Sequence, residues 1–273
     1  MIWDPSGEPL KFSAGGATLE GRCVGATPDA ADTIVLLHEG LGSARLWRDL
    51  PERLAAATGY GVFAYSRRGY GASDPVVLPR PLDYMTREAV DVLPDVLDAI
   101  GLRRGVLVGH SDGASIAAIY PGNHQDHRIR GLVLMAPHFF TEPMGLKSIA
   151  EAKVAYETGD LRQRLAKHHQ DVDGTFRGWN DAWLDPGFET WSIEDVIDYI
   201  RVPVLAIQGK DDQYGTLDQI AALETRLYSP FEAVILEGCR HSPFIDKPQE
   251  TLDAIAAFLA HLDRFESAEV SIQ

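Results

Sequence analysis

Short apolar runs recur along the chain and alternate with segments of helical periodicity. The runs are TIVLL at 33–37, GVFAYS at 61–66, GVLVG at 105–109, GLVLMA at 131–136, VPVLAIQG at 202–209 and EAVILEG at 232–238. Each run is continuously apolar, which is typical of strands buried on both faces of a mostly parallel sheet. An earlier segment, LKFSAGGATLEGRCVG at 10–25, predicts an antiparallel hairpin at the sheet edge.

Helical patterns occupy the intervals between these runs. They are LWRDLPERLAAAT, REAVDVLPDVLDAI, TLDQIAALETRLY and the closing PQETLDAIAAFLAHLDRF. Pro94 lies inside the second of them and predicts a kink or a restart there, because proline cannot donate the helical hydrogen bond. Strands that alternate with helices predict an α/β fold with a doubly wound, mostly parallel sheet.

One long stretch interrupts the alternation. Residues 138–200 contain no strand signal, and they include the helical pattern IAEAKVAYETGDLRQRLAKHHQDV and the aromatic-rich WNDAWLDPGFETWSIEDVIDYI. A helical excursion of this length between two strands is a candidate lid. We therefore expect a core formed by residues 1–137 and 201–273, with residues 138–200 as an inserted helical cap.

Composition excludes several classes of partner. The 273 residues carry 25 basic and 40 acidic side chains, a formal net charge of −15, without a basic cluster that would suit nucleic acid or an anionic membrane. The N-terminal region shows no secretory signal, and no apolar segment reaches membrane-spanning length. The two cysteines, Cys23 and Cys239, favour reduced thiols in a cytoplasmic protein, and no CxxC or HExxH motif indicates a metal.

The pentapeptide Gly109-His110-Ser111-Asp112-Gly113 is the strongest chemical signal. It follows the run VLV and precedes the helical segment ASIAAIY. At such a strand-to-helix turn the small glycines allow close packing, the serine is held in a strained conformation, and the helix N-terminus favours a developing anion. This context predicts Ser111 as a nucleophile, whereas the pentapeptide alone would be weak evidence.

A nucleophilic serine needs a base, and the base needs an orienting carboxylate. In strand-turn-helix enzymes of this kind the acid and the histidine follow the serine along the chain. Asp212, in GKDDQYG after the next-to-last strand, is the predicted acid, with Asp211 as its alternative. His241, in GCRHSPF after the last strand, is the predicted base.

The chain resembles α/β-hydrolase-fold enzymes with a helical cap over nearly its whole length. The matching segments, in the order found in that family, are LLHEGLGSARLW, YSRRGYGASDP, GHSDGAS, GKDDQYG and GCRHSPF. The resemblance implies Ser111 as nucleophile, His241 as base and Asp212 as orienting acid. It also implies an oxyanion hole formed by the backbone N–H groups of Gly40 and Asp112.

Glu39 departs from the family pattern, which usually has glycine after His38. A carboxylate beside an oxyanion hole would oppose the developing negative charge, so we expect Glu39 to point away or to be neutralised. It could bind a polar substrate group or position a water. Alternatively, it is hydrogen-bonded within the loop, for instance to a backbone N–H or an arginine.

Other side chains are weaker candidates. His138 lies at the C-terminal end of a strand, where it could contact substrate or act at the hinge of the cap, and Trp183 could line the pocket together with Trp179 and Trp191. Four residues are expected to be structural or solvated: Arg67 and Arg68 in salt bridges or exposed to solvent, and His168 and His169 solvated on a polar helix. Cys239 is expected to be a packed thiol.

These features predict a serine hydrolase that acts on a small-molecule carboxylic ester, lactone or thioester without a cofactor or metal. A serine nucleophile argues against the haloalkane dehalogenases and epoxide hydrolases of this fold, which use an aspartate. The alternatives are a carbon–carbon bond hydrolase of ring-cleavage products, an enol-lactonase, a cofactor-free perhydrolase, and a receptor that captures a small ligand under the cap. The sequence leaves the oligomeric state open.

Overall fold

An eight-stranded, mostly parallel sheet forms the centre of the molecule. The computed structural model describes the backbone of residues 2–270 and the side chains of residues 2–265. The strands are β1 Leu10–Ala14, β2 Ala17–Val24, β3 Thr33–Leu37, β4 Gly61–Ser66, β5 Gly105–His110, β6 Ile129–Met135, β7 Val204–Gly209 and β8 Phe231–Leu236. Their order in the sheet is β1-β2-β4-β3-β5-β6-β7-β8, and β2 pairs antiparallel with β1 and β4 while all later pairs are parallel. The predicted fold class and the edge hairpin are confirmed.

Burial follows the position of each strand in the sheet. Every residue of β3, β4, β5, β6 and β7 is buried, as the continuous apolar runs predict. The prediction is wrong for β8, where only Leu236 is fully buried, because this strand forms an edge of the sheet. Successive side chains of β5 enter different cores: Leu107 packs on one face, and Val106 and Val108 pack on the other.

Helices cover both faces of the sheet. They are α1 Leu50–Thr58, α2 Tyr84–Arg87, α3 Leu93–Ala99, α4 Asp112–Asn123, α5 Pro143–Thr158, α6 Leu161–Leu165, α7 Val172–Trp183, α8 Asp218–Arg226, α9 Pro243–Asp246 and α10 Pro248–Val270. Side chains of α1, α9 and α10 contribute to one core, and those of α3, α4 and α8 contribute to the other. Within residues 2–270, no helix combines the length and the apolar character needed to cross a bilayer.

Pro94 restarts a helix, as predicted. A π-helical turn occupies Glu88–Val92, and α3 begins at Leu93 with the proline in its first turn. Proline is tolerated there because the first N–H groups of a helix have no intrahelical acceptor.

The chain between β6 and β7 is helical. It holds α5, α6 and α7, followed by 3₁₀ turns at Pro186–Phe188 and Glu194–Tyr199. The continuous helix expected over 149–172 is divided, since α5 ends before Gly159 and α6 ends at Leu165. Aromatic side chains form the interior of this segment, with Phe188 stacked on Trp191 at a centroid distance of 5.0 Å.

Candidate active site

Ser111 occupies the turn between β5 and α4 in a conformation that few non-glycine residues adopt. Its backbone dihedrals are φ 54° and ψ −121°, and α4 begins at the next residue. A Cβ built on Gly109 would collide with the carbonyl oxygen of Gly113, and one built on Gly113 would collide with the carbonyl oxygen of Leu37. Both glycines are therefore required by close backbone packing around the serine.

Asp212 and His241 form a buried hydrogen-bonded pair. His241 Nδ1 lies 2.9 Å and 2.8 Å from the two carboxylate oxygens of Asp212. Because a carboxylate only accepts, Nδ1 carries the hydrogen in a neutral imidazole and Nε2 keeps its lone pair. The alternative acid, Asp211, is exposed, so the structure brings Asp212 and not Asp211 to the histidine.

The Asp212 carboxylate is held in its charged form. Gln208 Nε2 and the backbone N–H of Tyr214 each donate a hydrogen bond to it over 2.8 Å. Burial acts to raise the pKa of Asp212, but the neighbouring His241 and the hydrogen bond from the Tyr214 N–H outweigh it, so the pKa lies below its usual value.

The loop after β3 is fixed from behind by a buried cation. The Arg67 guanidinium donates hydrogen bonds to the carbonyl oxygens of His38 and of Glu39, the latter over 3.1 Å. His38 Nδ1 also donates to the Glu39 carbonyl over 2.7 Å, while its Nε2 accepts from the Arg67 backbone N–H over 3.1 Å. Burial and the charge of Arg67 lower the pKa of His38 well below its usual value, which keeps this neutral tautomer.

This anchoring determines where the next N–H group points. In a planar trans peptide the C=O and the following N–H project in opposite directions. The Glu39 carbonyl faces His38 and Arg67, so the N–H of Gly40 projects away from them. Gly40 itself must lack a side chain, because a Cβ at that position would collide with Trp179 Nε1.

The expectation for Arg67 is wrong, whereas that for Arg68 is confirmed. Arg67 is 1% exposed and binds main-chain carbonyls, and Arg68 is exposed. His169 corrects a second expectation: it is buried, with Nδ1 accepting from the Gly71 N–H over 2.9 Å and Nε2 donating to the Leu41 carbonyl over 3.0 Å. His168 is only partly exposed.

Asp112 is linked to the helical segment through a tyrosine that the sequence analysis did not identify. Tyr84 donates its hydroxyl to Asp112 Oδ2, and Trp183 Nε1 donates to the Tyr84 oxygen over 3.0 Å. Burial raises the pKa of Asp112, and burial together with the nearby Asp112 raises that of Tyr84 well above its usual value. Tyr84 follows no motif, so no sequence signal distinguishes it.

A cavity of about 120 Å³ brings the candidate groups together. It lies at the carboxyl ends of the parallel strands, where open α/β sheets bind ligands. Its walls are Glu39, Gly40, Leu41, Ser111, Asp112, His138, Ile149, Trp179, Trp183, Tyr214 and His241. Asp212 lies behind His241, and Trp191 packs against Trp183 at a centroid distance of 5.8 Å.

The pKa values of two further side chains, His138 and Cys239, are shifted from their usual values. Burial and the neighbouring His241 lower the pKa of His138 to about 3, and the two imidazole centroids are 5.6 Å apart. Burial raises the pKa of the Cys239 thiol to about 11, which agrees with a packed, unreactive cysteine. His138 is therefore a neutral wall of the cavity at neutral pH.

A larger cleft, of about 540 Å³, lies elsewhere. It borders residues 121–127 and Ile129, where β6 begins. This is the opposite end of the strands from Ser111 and His241. The smaller cavity is the candidate active site because it holds the convergent polar groups.

Comparisons with known proteins identify several relatives of this chain. The non-heme chloroperoxidase CPO-A1 of Kitasatospora aureofaciens is 26% identical over 239 residues, covering 76% of this chain and 84% of that protein. A proline iminopeptidase of Lactobacillus helveticus is 24% identical over 274 residues, covering 84% of this chain and 90% of that protein. The crystal structure of the enol-lactonase from Burkholderia xenovorans LB400 superposes with a TM-score of 0.70 at 20% identity, covering 92% and 100% of the two chains.

These relatives catalyse different reactions on a shared scaffold, so their names do not determine the substrate of this chain. The model of the alpha/beta hydrolase family matches residues 34–254, which include β3 except Thr33, all of β4 to β8 and every wall of the cavity. The chain is a member of the alpha/beta hydrolase family.

Proposed function

We propose that the protein is a serine hydrolase that cleaves a small-molecule carboxylic ester, lactone or thioester. One observation carries the proposal: His241, oriented by Asp212, lines the same cavity as Ser111, which occupies a strained turn at the start of α4. A nucleophile, a base beside it and an acid that orients the base are the groups that acyl transfer requires.

In the first half-reaction Ser111 Oγ attacks the substrate carbonyl carbon. His241 Nε2 takes the serine proton, and the carbonyl oxygen becomes a tetrahedral oxyanion. The N–H groups of Gly40 and Asp112 stabilise that oxyanion. When the bond to the leaving group breaks, His241 returns the proton to the leaving alkoxide or thiolate, and the acyl-enzyme remains.

In the second half-reaction a water attacks the acyl-enzyme. His241 takes one proton of the water, the oxyanion forms again, and the bond to Ser111 breaks as the proton passes to Oγ. The products are a carboxylic acid and the free serine. Asp212 keeps its charge throughout and holds the imidazole orientation.

Residues 138–200 act as the cap in this proposal, over a core of residues 1–137 and 201–273. Support comes from the walls of the cavity, since Ile149, Trp179 and Trp183 belong to this segment while Ser111 and His241 do not. The cap thus supplies the apolar surface that selects the acyl or leaving group.

A perhydrolase is the second candidate, favoured by the similarity to the non-heme chloroperoxidase. Hydrogen peroxide would then replace water in the second half-reaction and release a peracid. The same acyl-enzyme serves both reactions, so the nucleophile and base are unchanged.

The test is hydrolysis of a panel of p-nitrophenyl esters, thioesters and lactones by the purified protein and its Ser111→Ala variant, with and without hydrogen peroxide. We expect turnover by the parent and none by the variant, with equal circular dichroism spectra. Absence of turnover by the folded parent on the whole panel would overturn the proposal and favour a carbon–carbon hydrolase or a ligand receptor.

A further inference from the structure

His110, the residue before the nucleophile, has one ring nitrogen whose role is fixed by its partner. Its Nε2 lies 2.7 Å from the main-chain carbonyl oxygen of His241. A carbonyl oxygen only accepts, so Nε2 carries a hydrogen. In a neutral imidazole the other nitrogen, Nδ1, must then be an unprotonated acceptor.

Nδ1 of His110 faces a carboxylate. Glu39 Oε2 lies 3.6 Å away, and among the described side chains Nδ1 has no hydrogen-bond partner. The separation is that of a charge pair rather than of a hydrogen bond. His110 is 1% exposed, with the rings of Trp47 and Phe244 packed around it, whereas the Glu39 side chain is 26% exposed and lines the cavity.

An unprotonated Nδ1 opposite an ionised carboxylate would place two electron pairs against each other at a buried imidazole, which is unfavourable. One proton on either partner removes this conflict. Gly42 supports the observed geometry, because a Cβ at that position would collide with Glu39 Oε2. The glutamate side chain therefore folds back across Gly42 toward His110.

We propose that Glu39 and His110 hold one proton between them, as a positioning pair for the active site. This inference rests on the proposed hydrolase function. Through His110 Nε2 the pair fixes the main chain of the catalytic histidine, and through its near-zero net charge it keeps a carboxylate from opposing the oxyanion beside Gly40.

The surrounding charges are consistent with the pair. The Arg67 cation binds the Glu39 main chain, and the neutral imidazoles of His38 and His138 add no negative charge. Other titratable groups around the pair are His169, the Asp212–His241 pair, and Asp112 and Tyr214, which line the same cavity as Glu39. Burial acts to raise the pKa of Glu39, but His110 and Arg67 outweigh it and leave that pKa below its usual value.

The pair predicts a specific pH dependence. When the pair loses its proton as the pH rises, the Glu39 charge is no longer compensated and opposes the oxyanion, so kcat/KM falls. Glu39→Gln cannot acquire that charge. The ratio of parent to variant kcat/KM should therefore fall by about tenfold or more as the pair loses its proton. A structural defect that is independent of pH would instead leave this ratio constant.

The experiment combines this profile with NMR of protein that carries ¹⁵N-histidine and ¹³C-carboxyl glutamate. In the parent, the His110 Nδ1 and Glu39 carboxyl signals should change together as the proton is lost. In Glu39→Gln, His110 should show an unprotonated Nδ1 at neutral pH. Glu39→Asp should restore part of the coupled change, and Glu20→Gln, which removes another buried carboxylate, should leave both the NMR titration and the pH profile as in the parent.

An unprotonated Nδ1 together with an ionised Glu39 carboxylate in the parent at neutral pH would overturn the inference. The NMR measurement needs no substrate, so it decides on the pair even if no ester is hydrolysed. Lack of hydrolysis counts against the proposed function alone, and an unchanged kinetic ratio in an active enzyme counts against the pair alone.

Discussion

Trp183 donates its indole N–H to the phenol oxygen of Tyr84 over 3.0 Å. The tyrosine hydroxyl in turn donates a hydrogen bond to the side chain of Asp112, whose backbone N–H follows the serine at the start of α4. A side chain of the helical segment is thereby connected, through one core residue, to a proposed oxyanion donor. The connection ties the position of α7 to the geometry around Ser111.

Removing the Tyr84 hydroxyl should therefore affect both stability and turnover. Tyr84→Phe removes the hydrogen bonds that the phenol makes with Trp183 and with the buried Asp112 carboxylate, and we expect the free energy of unfolding to fall by about 2–4 kcal/mol. Turnover should fall mainly in kcat, because the oxyanion donor is displaced. Urea unfolding and ester kinetics measure the two effects.

Tyr120→Phe is the matched control for that variant. It removes a hydrogen bond of 2.6 Å to Asp126, far from the cavity, so it should lower stability and leave kcat unchanged. Equal kcat values for parent and Tyr84→Phe would show that the connection is only structural.

Asp212 and its neighbour Asp211 offer a direct comparison of acids. Asp212→Asn removes the charge that holds the His241 tautomer, and kcat should fall by about 10⁴-fold. Asp211→Asn alters an exposed side chain and should change the free energy of unfolding by less than about 0.5 kcal/mol. A similar loss of activity in both variants would reject Asp212 as the orienting acid.

The strained backbone of Ser111 should be measurable as stability. At φ 54° a glycine relieves the steric conflict that alanine retains. We expect Ser111→Gly to be more stable than Ser111→Ala by about 1 kcal/mol, after allowing for the larger entropy of glycine in the unfolded chain. Guanidinium unfolding of the two variants measures this difference in the free energy of unfolding. A glycine variant less stable than the alanine variant would contradict the strain argument.

His138 should make the fold sensitive to acid. Its pKa is about 3 in the folded chain against an ordinary value of 6.5, so between these values the unfolded state binds more protons. Stability then falls as the pH falls from about 6.5 to about 3, by an amount on the order of a few kcal/mol. In His138→Gln this part of the decline should be absent in unfolding measurements at stepped pH. A decline of the same slope in parent and variant would place the sensitivity elsewhere.

The sequence could predict the strands, the turn at Ser111 and the pairing of Asp212 with His241 because these depend on local patterns in chain order. Continuous apolar runs mark buried central strands, and the two glycines around Ser111 reflect contacts within one turn. The same rule failed at β8, where an apolar sequence forms an exposed edge.

Residues whose environment depends on distant parts of the chain could not be predicted. Arg67 and Arg68 are adjacent and chemically identical, yet one lies beneath the loop after β3 and the other is exposed. His169 is buried because α6 ends at Leu165 and the following chain packs against Gly71 and Leu41. Tyr84 lies in no motif, and only the packing of α7 over the core reveals its partners.

The peptide between Glu39 and Gly40 separates two roles across a single plane. Its carbonyl is anchored to Arg67 and His38 beneath the loop, while its N–H belongs to the cavity side. Three apolar cavity walls, Ile149, Trp179 and Trp183, lie on α5 and α7, which donate no hydrogen bond to that carbonyl. In an evolving lineage, substrate preference can therefore change at Ile149 while the anchor of the Glu39–Gly40 peptide stays intact. Trp183 differs, because it is connected through Tyr84 to Asp112, so a change there would alter both selectivity and rate.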